Sequence, residues 1–65
     1  MWTVVYIAPN LAVAETLKDL LLKEGLLVKL RGPRGPTLEV AHVEILVPEA
    51  EVEEAHEILA TVLGR

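Results

Sequence analysis

The apolar positions of this chain repeat with a strand period in some segments and with a helix period in others. Residues 2–8 are rich in β-branched and aromatic side chains and stop at Pro9, which predicts a first strand. Asn10 is a good helix N-cap, and residues 11–24 follow a helical period until Gly25. The apolar face of this helix is formed by Val13, Ala14, Leu17, Leu20 and Leu21.

The second part of the chain predicts two more strands and a second helix. Residues 26–31 alternate as a strand, and residues 40–47 do so again before Pro48. Residues 49–63 return to the helical period and stop at Gly64. The apolar stripe of this helix is formed by Val52, Ala55, Leu59, Val62 and Leu63. The predicted order is therefore βαββα.

Residues 1–65 are predicted to form a single α+β domain, a two-layer sandwich in which both helices cover one face of a three-stranded sheet. A strand–helix–strand crossover leaves room between its two parallel strands, and the third strand fits there antiparallel to both. The expected sheet order is 1-3-2, with strand 1 at an edge. This arrangement is ferredoxin-like but lacks the last strand, because only Gly64 and Arg65 follow the second helix.

The predicted first strand is apolar on both of its faces. Trp2, Val4 and Tyr6 are expected on one face, and Val5 and Ile7 on the other. The helices cover only one face, and an edge strand also carries unpaired backbone groups. Another surface is therefore expected to cover this strand.

A homodimer is the arrangement that we favour for this surface. Leu27 and Leu46 are expected to add apolar area on the open face of the sheet, beside Trp2, Val4 and Tyr6. The alternative is that Trp2 and Tyr6 close the edge of the core and keep their polar atoms in water.

Length and composition also favour an oligomer. A chain of 65 residues buries only about 60% of its unfolded surface, so its stability margin is thin. It has no cysteine, which excludes disulfides and most structural metal sites as supports. The lack of cysteine and of a signal-peptide pattern predicts a cytoplasmic protein. No apolar run approaches the ~20 residues that cross a bilayer, so no membrane association is expected.

Charge is unevenly distributed along the chain. The net charge of −4 argues against a general nucleic-acid-binding protein, because such proteins neutralise phosphates with Lys and Arg. The acidic residues of the second predicted helix are expected to form a solvated face. They are Glu49, Glu51, Glu53, Glu54 and Glu57.

The segment RGPRGP, with the lysine before it, is the candidate ligand site. Half of the six Lys and Arg side chains lie here, in Lys29, Arg31 and Arg34, and they are suited to bind carboxylate or phosphate oxygens. Gly32 and Gly35 would let the backbone approach a ligand. No Gly-Lys-Ser/Thr follows, so the segment is not a P-loop. The alternative, which we prefer for the segment itself, is a strand connection with turns stiffened by proline.

Other candidate chemistry is sparse. Glu53 and His56 have the Glu-x-x-His spacing of carboxylate-bridged metal sites, but further ligands are lacking and no metal or other cofactor is expected. His42 and Glu44 are expected on the outer face of the sheet, paired across strands with basic residues. The chain has neither cysteine nor serine as a nucleophile, so we do not expect an enzyme. A catalytic site shared between subunits is the remaining enzymatic alternative.

The segments VYIAPNLAVAETLKDLLLKEGLLVKLRG and VEILVPEAEVEEAHEIL resemble a small family labelled prokaryotic signal-transducing proteins, a ferredoxin-like family of unknown function. The most recognisable positions are Tyr6 to Asn10, Glu15, Leu21, Gly25 and Val47 to Glu49. The resemblance implies a ferredoxin-like half similar to the trimeric nitrogen-regulatory signal proteins, and it carries no catalytic residue over. The long nucleotide-contacting loop of those proteins has no counterpart here, which argues against nucleotide binding.

Two functional hypotheses follow. The first is a non-enzymatic regulatory or adaptor module that binds a small anionic metabolite or a protein partner as an oligomer. The second is a pure protein-interaction module that acts by strand addition at strand 1. Metabolite binding is expected to depend on the arginines and to weaken with salt, whereas strand addition depends on the edge and tolerates salt better.

Overall fold

The elements of the chain follow the predicted βαββα order. The computed structural model describes residues 1–32 and 42–64. The elements are β1 (Trp2–Ala8), α1 (Leu11–Lys23), β2 (Lys29–Arg31), β3 (Val43–Pro48), a 3₁₀ turn (Glu49–Glu51) and α2 (Val52–Leu63). Arg34, Gly35 and the predicted start of the third strand at residues 40 and 41 lie outside the described residues.

Both ends of α1 are specified by local residues. The side chain of Asn10 accepts a hydrogen bond from the N–H of Val13 at 2.9 Å, as expected of an N-cap. At the other end Gly25 has a φ of 91°, and the N–H of Leu26 donates to the carbonyl of Leu21 at 3.2 Å. These are features of a Schellman motif, which ends the helix and turns the buried Leu26 towards the sheet.

Strand β3 lies in the centre of the sheet, and the order β1-β3-β2 confirms the prediction. β3 is antiparallel to both neighbours. Its side chains Val43, Ile45 and Val47 are buried together with residues of both helices, so the helices cover one face of the sheet. The main core consists of Ala8, Ala14, Leu17, Leu21, Leu26, Val43, Ile45, Val47, Ala55 and Leu59. The predicted two-layer α+β fold is therefore confirmed.

Strand β2 is shorter than the predicted segment 26–31. Continuing its register with β3 would place Leu27 opposite Pro48. Proline has no N–H to donate, so the ladder cannot extend through this pair. The N–H of Leu27 instead donates to Oε1 of Glu51, at 3.0 Å, in the turn before α2. This bond ties the connection after α1 to the beginning of α2.

A β-bulge at Val5 changes the faces of β1. Val4 lies opposite Leu46, but Tyr6 lies opposite Ile45, so β1 has one residue more than β3 at this point. Ile45 faces the helices, and Tyr6 is half-buried against the core on the same side. The prediction that Tyr6 shares the open face with Val4 is therefore wrong.

The bulge moves Ile7 to the face away from the helices. Ile7 lies opposite Glu44 and is 54% exposed on the face away from the helices. One inserted residue reverses the in–out alternation of everything that follows it. Because β1 is apolar at nearly every position, its sequence contains no signal of this reversal.

The last turn of α2 also departs from the prediction. Ala55 and Leu59 are buried as expected, whereas Val62 and Leu63 are about half exposed. They line a groove of about 360 Å³ beside the first turns of α1 rather than filling the main core. The apolar stripe of α2 therefore extends beyond the sheet that it covers.

Candidate functional site

The face of the sheet opposite the helices combines apolar and charged side chains. We call this surface the outer sheet face. It comprises Trp2, Val4 and Ile7 from β1, Glu44 and Leu46 from β3, and Lys29 and Arg31 from β2. It contains five of the residues that the sequence analysis assigned to an interface or a ligand site: Trp2, Val4, Leu46, Lys29 and Arg31.

Leu46 is the buried centre of the outer sheet face. It is only 2% exposed, although it does not belong to the main core under the helices. The register places it between Val4 and Lys29 on the central strand. The prediction that Leu46 adds apolar surface to the open face is therefore wrong, because a residue on a central strand has neighbours on both sides. Leu27, the other leucine predicted there, is 61% exposed.

Lys29 contacts an aromatic ring on the opposite edge strand. Its Nζ lies 5.0 Å from the centroid of the Trp2 ring, which is a cation–π distance. The two side chains come from β2 and β1, on either side of Leu46. Such a pair contributes about 0.5–1 kcal/mol at an exposed site. Lys29, predicted to bind an anion, is thus already engaged with Trp2.

Arg31 forms an ion pair with the residue directly opposite. Its Nε lies 2.6 Å from Oε1 of Glu44, and the two residues are register partners across β2 and β3. This confirms the predicted cross-strand pairing of Glu44 with a basic residue. Because the pair is largely exposed, its contribution is about 0–1 kcal/mol. An anionic ligand of Arg31 would compete with the Glu44 carboxylate.

A depression lies at one end of the outer sheet face. Its volume is about 670 Å³, and it is lined by Ile7, Arg31, Gly32, His42 and Glu44. This size suits a small organic ligand. The structure therefore brings two predicted ligand residues, Arg31 and Gly32, together with His42. Ile7 is the member that sequence reasoning missed, because only the bulge brings it to this face.

The predicted metal motif is an exposed feature of α2. Glu53 and His56 are both exposed on this helix. Among residues 1–32 and 42–64, no three acidic or histidine side chains lie close enough together to hold a metal ion. In the same ranges, no helix has both the length and the apolar character needed to span a membrane.

The outward edge of β1 can be identified from one hydrogen bond. The N–H of Glu49 donates to the carbonyl of Met1 at 2.8 Å, so the backbone hydrogen-bonding groups of Met1 point towards β3. Along an antiparallel strand, the N–H and C=O groups of successive residues point alternately to the two sides of the strand. Trp2 and Val4 therefore direct their N–H and C=O groups away from β3. Beyond the bulge Ile7 does the same, because its partner Glu44 directs its backbone towards β2.

The outward edge of β1 carries no charged side chain. In the described part of the chain, β1 pairs with β3 alone. The strand WTVVYIA has no charged residue and no proline, the features that usually protect an edge strand from other chains. The bulge at Val5 is one feature of β1 that does disturb pairing with another strand. Trp2 and Ile7, which direct their backbones outward, are also 41% and 54% exposed on the outer sheet face.

The chain matches none of the known protein families, curated proteins or solved structures with which it was compared. The resemblance to prokaryotic signal-transducing proteins therefore stays a prediction.

Proposed function

We propose that this protein is a non-enzymatic regulatory or adaptor module that binds a protein partner through the outer edge of β1 and the adjoining outer sheet face. The supporting observation is that Trp2, Val4 and Ile7 contribute to both surfaces. A signal-transducing role in the prokaryotic cytoplasm, as an oligomer, belongs to the same proposal and follows the family resemblance.

Strand addition is the binding mode that this geometry favours. An added strand gains affinity from main-chain hydrogen bonds and specificity from alternate side chains. On β1 the residues with outward backbone groups also place their side chains on the outer sheet face. Trp2 supplies a large, partly exposed aromatic side chain, the residue type most enriched in interface hot spots.

Site-specific photo-crosslinking in the source cells tests this proposal. A benzoylphenylalanine at Trp2 is expected to form a discrete protein adduct, whereas the same probe at Leu22 is not. Leu22 is similarly exposed but lies on α1, away from the sheet edge. A further change, Val4→Pro, removes an outward N–H and should abolish the Trp2 adduct. No adduct at Trp2, or one that persists with the proline, would contradict the proposal.

A second candidate function is the binding of a small anion in the depression beside Arg31. The observation that favours it is the proximity of Arg31, Gly32 and His42 around a volume of about 670 Å³. A carboxylate or phosphate ligand would take the place of Glu44 as the partner of Arg31. Lys29 is less suited to this role, because its ammonium group lies over the Trp2 ring.

Competition by Glu44 makes this second candidate testable. Inorganic phosphate, titrated by NMR, should bind the wild type weakly and Glu44→Gln more tightly, since the glutamine removes the competing charge. Arg31→Gln should abolish binding, and Lys23→Gln, an exposed change on α1, should leave it unaffected. Equal phosphate affinity in all four proteins would exclude the depression as an anion site.

A further inference from the structure

The bulge at Val5 limits the part of β1 that can pair regularly with another strand. Before the bulge, Trp2 and Val4 are consecutive outward-directed residues with normal strand spacing. At the bulge, the N–H and C=O groups of Tyr6 point towards β3, and those of its partner Ile45 point towards β1. A regular added strand is therefore confined to the first half of β1.

We propose that the partner strand is β1 of a second copy of this chain, antiparallel and related by a two-fold axis at Thr3. This inference rests on the proposed function and names its partner. With Thr3 opposite itself, Trp2 of each copy lies opposite Val4 of the other. Both residues direct N–H and C=O groups outward, so each pair can exchange two-way hydrogen bonds. The sheets of the two copies then become continuous.

Other symmetric registers pair fewer of the outward-directed residues of β1. If Val4 lay opposite itself, Trp2 would face Tyr6 of the second copy, whose backbone groups already point towards β3. If Trp2 lay opposite itself, Val4 would lie outside the paired segment, because β1 of the second copy begins at Trp2. The Thr3 register joins two consecutive outward residues of each strand without crossing a bulge. It is therefore the one specified by the geometry of this edge.

The distribution of charge is compatible with a second copy as the occupant. Each chain carries a net charge of −4, so an association of two copies has to keep acidic residues apart. The strand WTVVYIA is uncharged, and pairing it with itself places no like charges opposite each other. The acidic block at residues 49–57 lies in the 3₁₀ turn and α2, outside the paired segment.

The outer sheet face is self-complementary in the same register. Trp2 of one copy would lie beside Val4 of the other on this face, next to the buried Leu46. Trp2 would thus contact apolar side chains of both copies, while Lys29 of its own chain stays over its ring. The exposed part of Trp2 becomes the centre of the interface.

A single introduced cysteine tests the register, because the chain has none of its own. Thr3 faces its own copy as a non-hydrogen-bonded pair, with Cα atoms about 4.5 Å apart, a distance that a disulfide can span. Thr3→Cys should therefore give a disulfide-linked dimer on mild oxidation. Ile7→Cys, exposed on the same strand but beyond the bulge, should remain largely monomeric on a non-reducing gel.

A second pair of variants tests the edge itself. The N–H of Val4 points away from β3, so Val4→Pro removes no bond of the β1–β3 ladder. It should convert the dimer to a monomer in light scattering, with the circular dichroism spectrum unchanged. Val4→Ala keeps the N–H and should remain dimeric at the same concentration. A folded, dimeric proline variant would overturn the inference, and the cysteine result decides it if the proline variant does not fold.

The outcomes separate this inference from the proposed function. A monomeric wild type at high micromolar concentration, or equal crosslinking of the Thr3 and Ile7 cysteines, would overturn the dimer. If a different protein is then found crosslinked at Trp2 in cells, the dimer is wrong and the proposed function stands. If no protein at all is crosslinked at Trp2, both fail.

Discussion

At the scale of single residues, Gly25 shows most directly how a side-chain choice decides local structure. Its φ of 91° lies in the region that L-residues with a Cβ rarely adopt. A Cβ built there would meet no atom within 4 Å, so packing does not exclude the methyl group of alanine. The need for glycine at the end of α1 is therefore purely a matter of backbone conformation.

Because the requirement for glycine is conformational, the effect of Gly25→Ala on stability can be predicted. The variant should lower the free energy of unfolding by about 1–2 kcal/mol, the cost of a left-handed conformation for a residue with a Cβ. Gly25→Asn should lose less, because asparagine tolerates this region better than alanine. Urea unfolding followed by circular dichroism measures both. Equal stability of wild type and Gly25→Ala would contradict the assignment of this backbone cost.

At the scale of elements, β3 has buried residues on both of its faces, and different neighbours cover them. Val43, Ile45 and Val47 pack under the helices in the main core. Leu46 points the other way and is just as buried, between Val4 and Lys29 of the neighbouring strands. The outer sheet face therefore contributes to stability as well as offering a surface for a partner.

Leu46→Ala is accordingly expected to behave as a core substitution. It should lower the free energy of unfolding by about 2–5 kcal/mol, as large-to-small changes in cores do. Leu27→Ala is the matched control, since Leu27 is exposed, and it should change stability by no more than about 0.5 kcal/mol. Thermal or urea denaturation compares the two. Similar small losses in both variants would show that Leu46 is not buried.

At the scale of the whole molecule, stability and association should be linked. The chain is small, its core lies on one side of the sheet, and its uncharged edge is unpaired in the described residues. Whatever binds the folded state and not the unfolded one stabilises it by mass action. A dimer through β1 would therefore make the stability of this protein depend on its concentration.

The Tm of the wild type should therefore rise with protein concentration, whereas that of Val4→Pro should not. Differential scanning calorimetry over a roughly hundredfold range of protein concentration measures both Tm values. Addition of salt should alter the effect little, because the paired strand is uncharged. A Tm independent of concentration in both proteins would contradict the linkage.

The sequence by itself determined the features that depend on neighbouring residues. The N-cap at Asn10, the glycine stop at Gly25 and the periods of the helices are local, and the structure confirms them. Crossover rules then led from the element order to the sheet order. Glu44 was predicted to pair across strands with a basic residue, because alternation in β2 and β3 is regular, and its partner is Arg31.

Only the tertiary structure decided what depends on the partner of each strand. The bulge at Val5 moves Tyr6 to the core and Ile7 to the outer sheet face, since a bulge is defined by two strands together. The burial of Leu46 and the contact between Lys29 and Trp2 likewise arise from residues far apart in sequence. A pattern within one strand cannot specify these pairings, because its apolar residues fit either face equally well.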